Sequence, residues 1–96
     1  MEMIYCTYNI SVSEEMQKIL DRLEIKNYQI FDNVLAKTEG SPPRFDTPVW
    51  PGYNNSLLIQ TENKKKDFVQ LIREYNKSIE DKSEEILCIS WQIENH

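Results

Sequence analysis

The residues able to do chemistry in this chain fall into three sets. The first is the run Gly40-Ser41-Pro42-Pro43-Arg44-Phe45-Asp46-Thr47-Pro48-Val49-Trp50-Pro51-Gly52, which holds all four prolines and both glycines. Arg44 carries a planar cation suited to carboxylate or phosphate oxygens, and Phe45 and Trp50 offer flat apolar surfaces. Proline fixes its own φ and pushes the residue before it towards extended backbone, so this run is a stiff excursion. Trp50-Pro51-Gly52 reads as a tight turn in which Gly52 is free to take positive φ. A long preorganised loop of this kind is a recognition element. The competing reading makes Phe45 and Trp50 anchors that pin the loop to the subunit or to a neighbour. If the loop is for recognition, Phe45 should stand exposed near its middle and Trp50 should be at least half buried at its end.

The second set is Lys64-Lys65-Lys66, at the start of a predicted helix. Cations there oppose the helix dipole, and a bound anion would offset them. The alternative is a solvated face, with Asp67 in the same turn neutralising part of the charge. The third set is Cys6, Cys88 and His96, the last being the sole histidine. Both cysteines lie in apolar runs and read as small buried hydrophobes. One disulfide is chemically possible, but a cytosolic chain keeps its thiols reduced. His96 with two buried cysteines has no metal-ligand spacing. Two glycines cannot build a dinucleotide or Walker loop. The carboxylates Glu14, Glu15, Glu84 and Glu85 fall at helix starts and strand approaches, and nothing pairs with Glu39 or Asp46 at a catalytic spacing. The chain therefore reads as a non-enzyme, with no catalytic residue, metal or cofactor expected.

The elements that must position these residues follow from periodicity. Met3 to Asn9 is short and rich in β-branched and aromatic residues, a strand. Ser11-Val12-Ser13-Glu14 fits a capping box with Ser11 as N-cap. Val12, Met16, Ile19, Leu20 and Leu23 then predict an amphipathic helix over about 12–24. Strands are predicted over 28–36, 56–61 and 86–93, and a second helix over about 64–77 with Phe68, Leu71, Ile72 and Tyr75 on one stripe. The order βαββαβ, with right-handed crossovers, predicts a ferredoxin-like α+β fold: a four-stranded antiparallel sheet with two helices on one face. Parity then leaves apolar residues on the uncovered face as well, among them Tyr5, Leu87, Ile89 and Trp91. A face of that kind is covered by other copies of the chain, so an oligomer is expected.

Composition bounds the rest. Ninety-six residues make one domain of ordinary size, here 1–96 with a Pro-rich loop at 37–54. The ten aromatics and 40% hydrophobic content exclude a disordered chain. The net charge of −5 argues against a nucleic-acid surface. No apolar run approaches a membrane span, and Met1 to Ile10 lacks the pattern of a signal peptide, so a cytoplasmic protein is expected.

The stretch Leu20-Asp21-Arg22-Leu23-Glu24-Ile25-Lys26-Asn27-Tyr28-Gln29-Ile30-Phe31-Asp32-Asn33-Val34 is similar to the passage from helix one into strand two of nitrogen-regulatory PII signalling proteins. Glu24 and Asn27 stand where that family has glycines. Pro48 to Asn54 resembles the compact connection of PII-like relatives with shortened T-loops. The resemblance implies a homotrimer with effector clefts between subunits, near the base of the loop. Family members bind ATP or ADP and 2-oxoglutarate there and regulate transporters, enzymes or transcription. For this chain it implies a small anionic effector, a nucleotide among the candidates, held by the cations Lys37 and Arg44 with stacking from Trp50 and a hydrogen bond from Asn54. Phe45 would meet a protein target. CutA-like trimers, linked to divalent metals, share the fold and form the alternative.

Overall fold

The computed structural model describes residues 1–96. Its elements are β1 (Glu2–Asn9), α1 (Ser13–Arg22), β2 (Tyr28–Val34), β3 (Asn54–Thr61), α2 (Lys65–Ser78) and β4 (Leu87–Gln92), with short 3-10 turns at Ile10–Val12 and Lys82–Glu84. The strands form one antiparallel sheet in the order β2-β3-β1-β4. This is the ferredoxin-like α+β arrangement that the element order predicts.

One face of the sheet is closed by both helices. Ile4, Cys6 and Tyr8 of β1 stand opposite Ile59, Leu57 and Asn55 of β3, and all six are buried. Met16, Ile19 and Leu20 of α1 and Phe68 and Ile72 of α2 complete that core. The other face is formed by Met3, Tyr5 and Thr7 of β1 and, in register with them, Trp91, Ile89 and Leu87 of β4. No element covers its apolar half: Leu87, Ile89 and Trp91 are 54%, 55% and 44% exposed, and Phe31 of β2 is 48% exposed.

Local details differ from the periodicity in instructive ways. The capping box does not form. Asn9 Oδ1 accepts from Ser11 N–H at 3.1 Å, so the chain makes a 3-10 turn first and the α-helix begins at Ser13. The Ser11 hydroxyl is then free to donate to the Glu84 carboxylate. At the other end of α1, Glu24 takes a left-handed conformation with φ of 55°. Ile25 N–H donates to Leu20 carbonyl at 3.0 Å and Glu24 N–H to Asp21 carbonyl at 3.1 Å, a Schellman cap in which glycine is the usual occupant. Strand β2 stops at Val34, two residues short of expectation, after a bulge at which Asn33 has φ of 59°. Strand β3 begins two residues earlier than expected, at Asn54, because Asn54 pairs with both Asn9 and Val34.

Candidate functional site

The loop between β2 and β3 is built as two lobes on a neck. Ala36 and Arg44 exchange backbone hydrogen bonds of 3.0 and 2.8 Å, which closes the first lobe over 37–43. The second lobe, over 45–52, closes on itself. Asp46 N–H donates to Gly52 carbonyl at 2.8 Å, and the Phe45 and Thr47 N–H groups both donate to Trp50 carbonyl. Asp46 and Gly52 both have positive φ, and Thr47 Oγ1 accepts from Trp50 N–H at 2.9 Å. The tight turn therefore spans Thr47–Trp50 rather than Trp50-Pro51-Gly52, because the Thr47 side chain supplies a bond that the sequence reading did not count.

Arg44 is the post that holds this loop. It is 8% exposed, and its guanidinium donates to Asn54 Oδ1 at 3.2 Å and to the carbonyl of Ser83, on the approach to β4. Asn54, 1% exposed, passes the chain of bonds on by donating from Nδ2 to Thr7 Oγ1 at 3.0 Å. A buried guanidinium needs such partners, since an unpaired charge out of water is costly. Asp81 stands close by. Its carboxyl lies below the usual carboxylate range because the Ser83 hydroxyl and N–H both donate to it, with the nearby Arg44 charge adding to the effect.

The sequence-predicted site residues therefore separate. Arg44 and Asn54 do come together, but as a buried pair whose bonds are satisfied inside the chain; Arg44 is not a free cation on the loop. Lys37 is exposed on the first lobe, with its ammonium donating to Thr38 carbonyl at 2.8 Å. Phe45 and Trp50 lie on the second lobe at 39% and 42% exposure. The expected contrast between an exposed Phe45 and an anchoring Trp50 is absent, because polar bonds at Arg44 anchor the loop instead of an aromatic. Val49 beside them is 74% exposed.

A cleft of about 100 Å³ opens at the loop root, lined by Thr38, Glu39 and Ser41 of the first lobe, Thr7 and Asn54 of the sheet, and Lys82 and Ser83 before β4. Ser41 Oγ is buried with no hydrogen-bond partner. Lys82 is engaged by Glu85 at 3.7 Å and donates to Asn76 carbonyl at 3.0 Å. Sequence reasoning missed Thr7, Ser41, Lys82 and Ser83. Only the parity of Thr7 hinted at its place, since the other three reach the cleft through tertiary packing. The lysine run at α2 behaves as a solvated face. Lys65 faces Glu2 at 3.9 Å, and Thr61 Oγ1 takes the Lys64 N–H at 3.1 Å.

Among solved structures, the fold is that of PII-like signalling proteins. A PII-like signalling protein of Thermus thermophilus superposes with a TM-score of 0.57 at 16% identity, over 94% of this chain and 83% of its own. CPII, a nitrogen regulatory PII-like protein of Thiomonas intermedia solved with ADP, AMP and bicarbonate, gives 0.68 at 12% identity, over 97% and 93% of the two chains. The same protein bound to ADP and bicarbonate gives 0.69 at 12% identity, over 96% and 86%. No family model and no curated protein matches the sequence.

Proposed function

We propose that this chain is the subunit of a homotrimeric PII-like regulatory protein that binds a small anionic effector at the root of the 37–54 loop and signals through the second lobe. The observation that carries the reading is the cleft at the loop root, a polar recess with a buried, unpartnered Ser41 hydroxyl beside the Arg44–Asn54–Thr7 chain. Its volume of about 100 Å³ suits an anion the size of bicarbonate. A nucleotide needs a pocket of roughly 300–1,000 Å³, so it would require walls from a second subunit. The fold likeness to CPII, solved with ADP, AMP and bicarbonate, supports the reading that the effector is a small anion or a nucleotide.

Trimerisation supplies those walls and covers Leu87, Ile89 and Trp91, which otherwise form an apolar edge strand open to water. Asn54 lines the site with Arg44 bonded to it, and Lys37, an exposed cation on the first lobe next to the lining residue Thr38, is the cation assigned to the effector. Phe45, Val49 and Trp50 offer an exposed apolar cluster to a protein target. The alternative, a CutA-like trimer that handles divalent metal, lacks a donor set: no three His, Cys, Asp or Glu side chains converge.

Calorimetric titration of the purified protein with bicarbonate, ADP, AMP and ATP, alongside light scattering, tests the proposal. A trimer at micromolar concentration that binds at least one of these anions is expected, with Lys37→Ala weakening it by about 1 kcal/mol. A monomer, or a trimer indifferent to all four anions, overturns it.

A further inference from the structure

The sheet brings the chain's two cysteines face to face. Cys6 of β1 is in register with Cys88 of the edge strand β4, and both are free thiols. The hydrogen-bond phase of the ladder fixes what kind of pair they make. Ile93 N–H donates to Met1 carbonyl, so Met1 and Ile93 form a hydrogen-bonded pair. Such pairs alternate along an antiparallel ladder, which makes Cys6–Cys88 a non-hydrogen-bonded pair. In that setting Cα atoms sit about 4.5 Å apart and the side chains approach most closely. This lies within the roughly 4.4–6.8 Å window that a disulfide spans.

The two thiols are not equivalent. Cys6 is fully buried beneath the helices, whereas Cys88 is half-buried and lines an open groove of about 540 Å³ between α2 and β4. Arg73 of α2 lines the same groove. Hydrogen bonding with the Cys6 thiol and, less strongly, the Arg73 charge lower the Cys88 pKa against the opposing effect of burial; Cys6 is pushed far up by its thiol neighbour and by burial. A partly exposed thiol beside a cation is the more readily deprotonated and reactive kind, and a buried thiol facing it in register is placed to resolve it.

We propose that Cys88 and Cys6 form a reversible peroxide-responsive pair, with Cys88 as the attacking thiol and Cys6 as the resolving one. The Cys88 thiolate attacks one oxygen of hydrogen peroxide. The O–O bond breaks, one oxygen stays on sulfur as a sulfenic acid, and the other leaves as hydroxide, which takes a proton and becomes water. The Cys6 sulfur then attacks the sulfenic sulfur. The S–S bond forms as the S–O bond breaks, and the departing hydroxide takes the Cys6 proton as a second water. Two thiols lose two electrons and two protons to one peroxide. A dithiol reductant restores them by exchange.

The pair lies on the helix-covered face of the sheet. Its oxidation therefore clips the edge strand to its neighbour without touching Leu87, Ile89 or Trp91 on the opposite face, and it stands independently of the proposed trimer and effector. Treatment of the reduced full-length protein with hydrogen peroxide should remove two hydrogen atoms from the intact mass and give a Cys6–Cys88 linked peptide under non-reducing digestion, both reversed by dithiothreitol. In Cys6→Ser the link cannot form, and Cys88 should instead be captured by dimedone as the sulfenic acid. Arg73→Ala should slow oxidation several-fold while the linked product stays the same. Two thiols that remain alkylatable after peroxide, or cross-links found only between chains, overturn the proposal.

Discussion

Strand β1 shows two different environments on its two sides. Towards the helices it presents Ile4, Cys6 and Tyr8, at 0%, 0% and 2% exposure. Towards the open face it presents Met3, Tyr5 and Thr7, and their neighbours on β4 are about half exposed. The closed face is saturated by the chain's own helices, so its burial stabilises the fold. On the open face Thr7 and its β3 neighbours Asn54 and Ser56 are buried, with the Arg44 post bonded to Asn54, and the apolar β4 side stays bare. One strand thus serves folding through one face and leaves the other to the association and ligand binding proposed above.

Breaking the closed face should have the largest effect. Phe68→Ala removes a fully buried ring from α2 and should cost about 3–5 kcal/mol, a fall in Tm of roughly 15–30 °C by calorimetry. Far-UV circular dichroism and light scattering should show folding and the proposed association lost together. Breaking the open face should separate them. Ile89→Arg places a charge at the centre of the exposed stripe and should convert the proposed trimer to a monomer in light scattering, with a folded far-UV spectrum. A trimer that survives this change would place the interface elsewhere.

The buried Thr7 end can be tested more finely. Arg44→Ala strands the Asn54 Oδ1 and Ser83 carbonyl acceptors and should cost about 1–3 kcal/mol, read in urea unfolding, while loosening the loop to proteolysis. Unchanged stability would mean that the loop is held by its own turns alone. The smallest effect concerns Asp81, whose carboxyl is held low by Ser83. The folded state binds its proton less readily than the unfolded chain does, so the stabilisation is present above the ordinary pKa of 3.8 and is lost as pH falls through the folded value. Asp81→Asn should lower the neutral plateau slightly and flatten the acid limb, so that the two stability profiles converge at low pH.

These regions were unequally legible in the sequence. Parity along β1 and β4 and the helical stripes through Leu20 and Phe68 carry the fold, because alternation and a 3.6-residue period are local properties of the chain. The apolar residues on both sides of β1 foretold the bare face. The loop announced itself through its four prolines, yet its mechanism did not. Arg44 is buried because Asn54 lies ten residues on and Ser83 thirty-nine residues on, and no local pattern encodes those meetings. For the same reason Ser11 lost the capping role. Asn9, two residues earlier, closes a tighter turn, and Glu84 draws the Ser11 hydroxyl across the fold. The aromatics of the second lobe misled because an anchor was sought among large side chains, while a polar fork performs that task.

The position of β1 between β3 and β4 bears on how the chain comes off the ribosome. The first strand of this sheet in chain order is a central strand, and its two partners lie at 54–61 and 87–92. Until the second of them emerges, β1 must wait with one ladder of N–H and C=O groups unpaired, after β3 and α2 have already been made. Contacts of such long sequence separation form late and slowly. A nascent chain stalled before residue 87 would present β1 as a raw edge, with the Cys6 thiol uncapped by its neighbour, beside identical chains on the same message. Premature edge-to-edge pairing is the hazard such an intermediate runs, and completion of a six-residue strand ends it.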